Sequence, residues 1–307
     1  MTAKTPKDMA ASVRARLMNV ARANGEAFDL ILVRFALERL LYRLSQSTHR
    51  ERFVVKGALM FQVWSNMLHR PTRDLDLLGT GEPNTDSFVA CFRELCNQQV
   101  TDDGLVFLAN TVEASRMKED EEYEGIRMKL EARLGSARIP IQVDIGFGDA
   151  ITPEANTTTF PSVLDFPSPQ LRAYPRETVV AEKFQAMVML GIGNSRMKDF
   201  FDLFTLCNQF EFEGDLVCRA IAATFQRRKT DIPVVPPLAL TPEFTDDAQK
   251  STQWNAFLRK SNLAAHDLSL AEVAARLAEF LMLPAIAAAE GRLFTSKWKP
   301  SESWIPG

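Results

Sequence analysis

Apolar residues recur at spacings of three and four along ASVRARLMNVARANGEAFDLILVRFALERLLYRLSQS, which predicts two amphipathic helices broken at Gly25. A short apolar strand, Phe53 to Val55, then runs through Lys56-Gly57 into a helical pattern from Ala58 to Leu68. The alternation in DLDLL, after the basic turn around Pro71, predicts a strand. Residues 86 to 100 read as a helix, VFLANTVEASRM and GIRMKLEARLG as strands, and a turn at Pro140 leads into IQVDIGFGD, the clearest strand pattern in the chain. Residues 151 to 172 are rich in Pro, Thr and Ser and read as a connection. Helical patterns follow over Arg176–Leu190, Met197–Phe210 and Leu216–Arg228, then an extended Pro-rich run, TDIPVVPPLALTPEF, and two further helices near 246–259 and 269–283. The pattern predicts an α+β chain in three parts. Residues 1–150 form N-terminal helices and a mixed-sheet core, 151–172 a connecting segment, and 173–307 a mostly helical lobe.

Apolar residues make up 46% of the 307 positions and charged residues 24%, the balance of a folded chain with a sizeable core. The first thirty residues interrupt their apolar positions with Arg and Asp, so no signal peptide is expected. No uncharged apolar window is long enough to span a membrane, and a cytoplasmic location is expected. Cys91, Cys96, Cys207 and Cys218 lack metal-ligand spacing, as do His49, His69 and His266; buried thiols are expected rather than a zinc site. The net charge of −3 argues against indiscriminate coating of nucleic acid. Residues 1–56, however, hold eleven Lys or Arg against five Asp or Glu, a surplus of +6 that could receive a polyanion or could be a solvated helix face.

The candidate chemistry starts in PTRDLDLLG. On a strand, Asp74 and Asp76 share one side while Leu75 and Leu77 face the other. Two carboxylates so close repel unless they are solvated or share a cation, and an Asp-x-Asp pair suits Mg²⁺ held together with substrate phosphates. Asp144 is a carboxylate inside an apolar strand and needs a partner or a cation. Gly57 permits close backbone approach ahead of a helix, and Arg70 and Arg73 offer guanidinium forks to phosphate. Farther on, Lys183 stands in an amphipathic helix among Phe184, Met187 and Val188. Asp199 and Asp202 are spaced i,i+3, and Lys198–Asp202 is an i,i+4 pair, which reads either as surface salt bridges or as part of a site.

Taken in order, these motifs resemble the AbiEii-type nucleotidyltransferases, toxins of bacterial type IV toxin–antitoxin and abortive-infection systems that include the MenT-like toxins. The resembled pattern is a glycine–small-residue turn, here Gly57-Ala58, then a strand with Arg70, Thr72, Asp74 and Asp76. A later carboxylate strand follows at Asp144, then a lysine helix at Lys183 and the cluster Arg196, Lys198, Asp199 and Asp202. Ala58 departs from the family's usual Gly or Ser, so only the backbone of that turn is expected to serve.

The resemblance implies a polymerase β-like nucleotidyltransferase core followed by a helical lobe, and an enzyme moving an NMP from an NTP with Mg²⁺ or Mn²⁺. It implies Asp74, Asp76 and Asp144 as metal ligands, and Asp144, Lys183 and Asp199 as further catalytic residues. Gly57, Ala58, Arg70, Thr72, Lys183 and Lys198 are implied to bind the nucleotide. The 3′ end of tRNA is the expected acceptor, and an antitoxin encoded nearby the expected partner. A protein or small-molecule acceptor is the alternative, as is a non-catalytic nucleotide-binding regulator.

Overall fold

The computed structural model describes residues 8–65, 70–120, 123–263, 268–300 and 302–307. The N-terminal pattern resolves into α1 (Met9–Asn24) and α2 (Phe28–Ser45). The Asp8 side chain caps the first, and Gly25, at a φ of 65°, ends it. Then come β1 (Phe53–Lys56), α3 (Leu59–Ser65), β2 (Asp74–Gly79) and α4 (Thr85–Asn97). Residues 66–68 of the expected third helix lie outside the described residues. Three long strands follow, β3 (Leu105–Asp120), β4 (Tyr123–Leu134) and β5 (Ala137–Phe147), and two short ones, β6 (Asn156–Thr159) and β7 (Gln170–Ala173).

Together they form a seven-stranded mixed sheet in the order β3-β4-β5-β2-β1-β7-β6. Only the β2–β5 and β1–β7 pairings are parallel. The apolar positions of α1, α2 and α4, among them Leu17, Phe35, Phe88 and Phe92, join Leu75, Leu77, Val143 and Ile145 of the strands in one core. The alternate strand positions, with Asp74, Asp76, Asp144 and Arg127, stand on the opposite face, as the two-residue strand period requires.

Two expectations change here. Pro140 makes no turn. The β4–β5 hairpin turns at Gly135, at a φ of 59°, and Pro140 lies inside β5 opposite Glu131. Pairing of β5 with β2 begins only at Gln142, so Pro140 occupies a stretch with one neighbour, where a missing N–H is tolerated. The Pro/Thr/Ser-rich segment read as a connection contributes β6 and β7 to the sheet edge. β6 is the all-polar NTTT and carries no apolar alternation to announce it.

The chain divides into two compact units, Met1–Gly148 with Asn156–Ala173, and Asp149–Ala155 with Tyr174–Gly307. The second is mostly helical: α5 (Arg176–Leu190), α6 (Met197–Gln209), α7 (Gly214–Arg227), α8 (Pro242–Thr245), α9 (Ala248–Lys260) and α10 (Leu270–Ala289). A small sheet of β8 (Phe212–Glu213), β9 (Lys297–Lys299) and β10 (Ser303–Ile305) accompanies them, which the sequence reading did not foresee. Trp298 anchors it, buried with its indole N–H donating to the Cys207 carbonyl.

Candidate active site

The register of the large sheet lines up four charged residues across four strands. Arg127 on β4 faces Asp144 on β5, Asp144 faces Asp76 on β2, and Asp76 faces Lys56 on β1. Asp74 lies two residues along β2 on the same side, opposite Gln142. Leu75 and Leu77, each 1% exposed, pin the strand from the core side, so the carboxylates are directed by packing.

Gly57 follows β1 at a φ of 78°, and a Cβ built there would overlap the Asp76 carboxylate. Two independent constraints therefore require glycine: left-handed backbone, and a carboxylate seated against its bare Cα. Ala58, expected beside the nucleotide, is buried, and its methyl group presents no surface to a phosphate. The Thr72 hydroxyl donates to the carbonyl of Asp74 at 3.5 Å. Arg73 donates its own N–H to Asp74 at 3.2 Å while its guanidinium reaches Asp29 on α2 at 2.6 Å. Arg70 contacts the Pro71 carbonyl at 3.5 Å.

Asp144 has a partner that the sequence reading missed. Arg127 grips it with a parallel fork, Nε to Oδ1 at 2.8 Å and Nη2 to Oδ2 at 2.7 Å, and Gln142 adds a third contact at 3.3 Å. The Arg127 guanidinium is held even more firmly protonated than usual, first by its hydrogen bonds to Asp144 and then by the charges of Asp144, Asp74 and Asp76. All three carboxylates thus act on one cationic side chain. The only signal in the sequence was the alternation that puts Arg127 on the polar face of GIRMKL.

Among the described residues, no three His, Cys, Asp or Glu side chains converge as a ready metal centre. The donor chemistry still suits a hard cation at β2. Asp74 and Asp76 are same-face oxygen donors on one strand, and Mg²⁺ takes one or two carboxylates together with phosphate oxygens. The bare Cα of Gly57 leaves room for one of them.

In the helical unit, Lys183 of α5 reaches both carboxylates of α6, Asp199 at 2.5 Å and Asp202 at 2.8 Å, while Arg196 adds a contact to Asp199 at 2.7 Å. Asp199 and Asp202 are each 1% exposed. The surface-salt-bridge reading is therefore overturned. So is the Lys198–Asp202 pair: Lys198 is exposed on α6 and Asp202 turns inward to Lys183. Burial would raise the Asp199 carboxyl, but Lys183 and Arg196 outweigh it and hold the group below the ordinary carboxylate range.

A family model described as nucleotidyl transferase AbiEii toxin, type IV toxin–antitoxin system, matches residues 39–281, well over half of the chain. The chain belongs to the AbiEii family. Gly57, Asp74, Asp76, Arg127, Asp144, Lys183 and Asp199 all fall within the matched span. The AbiEii assignment makes the protein a nucleotidyltransferase of the toxin class, whose family biology includes a cognate antitoxin.

Among solved structures it is similar to JHP933 from Helicobacter pylori, at 15% identity and a TM-score of 0.46, covering 82% of this chain and 88% of that one. A candidate nucleotidyltransferase from H. pylori is similar at 16% identity and a TM-score of 0.45, covering 82% and 91%. Likenesses of this size assign no residue. No curated protein matches.

The remaining expectations resolve one by one. All four cysteines are free and buried, and burial pushes the Cys207 thiol up to about 12. No helix among the described residues is long and apolar enough to cross a membrane. The basic surplus of residues 1–56 is only partly a surface. Arg39 and Arg43 are buried on α2 and share Asp103, at 2.9 and 2.7 Å, and Arg34 pairs with Glu26. A charge count along the sequence cannot separate core arginines from surface ones.

Proposed function

We propose that this AbiEii protein transfers a nucleoside monophosphate from an NTP to the 3′ end of a tRNA, with Mg²⁺ or Mn²⁺ bound at Asp74 and Asp76. The observation that carries this reading is the same-face carboxylate pair on β2, pinned by Leu75 and Leu77 and packed against Gly57. When bound, the cation would neutralise phosphate oxygens and so favour charge build-up on the leaving group.

In the reaction, the acceptor hydroxyl oxygen bonds to the α-phosphorus, the bond from that phosphorus to the bridging oxygen breaks, and pyrophosphate departs. Asp74 and Asp76 would hold the cation that neutralises the triphosphate, and the backbone of Gly57 and Ala58 is assigned to approach phosphate beside them. Arg70 and Thr72 flank the same strand and are assigned to nucleotide binding. Asp144 is assigned to the acceptor side, where it orients the hydroxyl and takes up its proton when an oxygen is released from Arg127. In the helical unit, Lys183 and Lys198 are assigned to the nucleotide's negative charge, and Asp199 to positioning Lys183.

The tRNA acceptor rests on the family resemblance and on the exposed part of the basic N-terminal helices, whose contribution is reduced by the burial of Arg39 and Arg43. The test is incubation of the full chain with each α-labelled NTP, Mg²⁺ and either tRNA or total cell protein. Label in tRNA supports the reading. Label in a polypeptide replaces the acceptor, and no label anywhere favours a non-catalytic binder.

A further inference from the structure

Asp144 stands next to Asp76 across β2 and β5, and the sequence reading enrols it as a third metal ligand. Its two oxygens are instead taken by the Arg127 fork, with Gln142 on Oδ2. A carboxylate accepting a bidentate guanidinium has lost its best-placed lone pairs. A positive charge already among three carboxylates also opposes the arrival of a second one.

We infer that Arg127 is a positioning residue acting as an internal counter-cation, which keeps Asp144 out of the metal shell in the nucleotide-free protein and limits the centre to the cation at Asp74 and Asp76. The inference rests on the metal reading above and refines it. The fork is half-buried, with Arg127 37% and Asp144 17% exposed, so the guanidinium is neither sealed in the core nor merely surface decoration. It crosses from β4 to β5 at a register fixed on both sides by apolar neighbours, Ile126 with Ile145 and Met128 with Val143, all buried. The grip is therefore specified by the sheet and not by rotamer chance. Once nucleotide phosphates compete for the guanidinium, Asp144 becomes available to the acceptor.

The probe is Mn²⁺ alone, read by the loss of its free paramagnetic signal on binding to the full-length, nucleotide-free protein. Wild type is expected to bind one ion. Removing the counter-charge in Arg127→Met should add a second ion or tighten binding by about tenfold, the effect of one nearby charge. The gain should vanish in the Arg127→Met/Asp144→Asn double variant. Asp144→Asn alone, a near-isosteric change, leaves the Arg127 charge uncompensated and should weaken Mn²⁺ by no more than the same factor of about ten, with one ion still bound, because its carboxylate is committed to Arg127 and holds no ion. Unchanged Mn²⁺ binding in Arg127→Met overturns the inference. So does abolished Mn²⁺ binding in Asp144→Asn, a loss of about a hundredfold or more that marks a direct ligand rather than one missing charge, and this stays decisive if Arg127→Met fails to fold. Absence of Mn²⁺ from wild type and Arg127→Met alike overturns the metal reading at Asp74 and Asp76 as well, so the two failures are distinguishable.

Discussion

At Gly57 the backbone sits at a φ of 78° and the Asp76 carboxylate occupies the space a side chain would need. Gly57→Ala is therefore expected to cost about 1–3 kcal/mol in chemical denaturation, the usual size of strain at such a backbone position. On the proposed metal reading it should also weaken Mn²⁺ binding, since the methyl group displaces the Asp76 carboxylate; unchanged affinity would mean that Asp76 does not hold the ion. Lys183 poses a different question, because its ammonium compensates two buried carboxylates. Lys183→Met removes the ammonium that the two carboxylates share and should cost about 3–5 kcal/mol, the range for breaking a buried pair. Lys183→Arg should recover part of that stability. If Lys183 also meets the nucleotide, the NTP KM of Lys183→Arg will rise while its melting temperature stays near wild type; a purely structural lysine would leave KM alone.

Among the elements, β2 holds the candidate carboxylate pair in place because one of its faces is locked into the core. Leu77→Ala should cost about 2–5 kcal/mol by calorimetry and lower transfer through misplacement of Asp76, with a smaller effect on a substitution at exposed Arg73. The strand itself was legible from alternation, as were Gly25, both bounds of α5 and the buried thiols, since each depends on local spacing. What was not legible depends on who stands opposite. The partner of Asp144 is chosen by the β4–β5 register, a long-range fact with no trace beyond Arg127 falling on the polar face. The edge strand β6 has no apolar signal, and Pro140 is tolerated only because β2 starts pairing two residues later. Arg39 and Arg43 look like a basic helix face until Asp103, sixty residues on, is seen between them.

On the scale of the whole molecule, each unit holds a buried charge cluster that makes its stability depend on pH in a known direction. Burial raises Asp103, but the Arg43 and Arg39 guanidiniums outweigh it and bring the group below 3.8, and Asp199 is lowered likewise by Lys183 and Arg196. Groups depressed in this way stabilise the fold fully above their unfolded values near 3.8 and lose that contribution as pH falls through the lower folded values. The stability gap between wild type and Asp103→Asn should therefore be constant near neutrality and shrink below about pH 4 in urea melts. Glu38 has the opposite sign, because burial raises it. Its ionised form costs stability near neutrality, and the cost lifts as pH falls. A gap that widened in acid would contradict the pairing of Asp103 with its arginines.

The AbiEii assignment and the β2 carboxylates meet in one measurement: transfer of α-labelled nucleotide to tRNA by wild type and by Asp76→Asn, with melting temperature checked on both. The account predicts label at the tRNA 3′ end for wild type. For Asp76→Asn it predicts an equally folded protein whose transfer falls by about a hundredfold or more, the loss expected when a reacting phosphate goes without its cation. Equal transfer by the two proteins would contradict it.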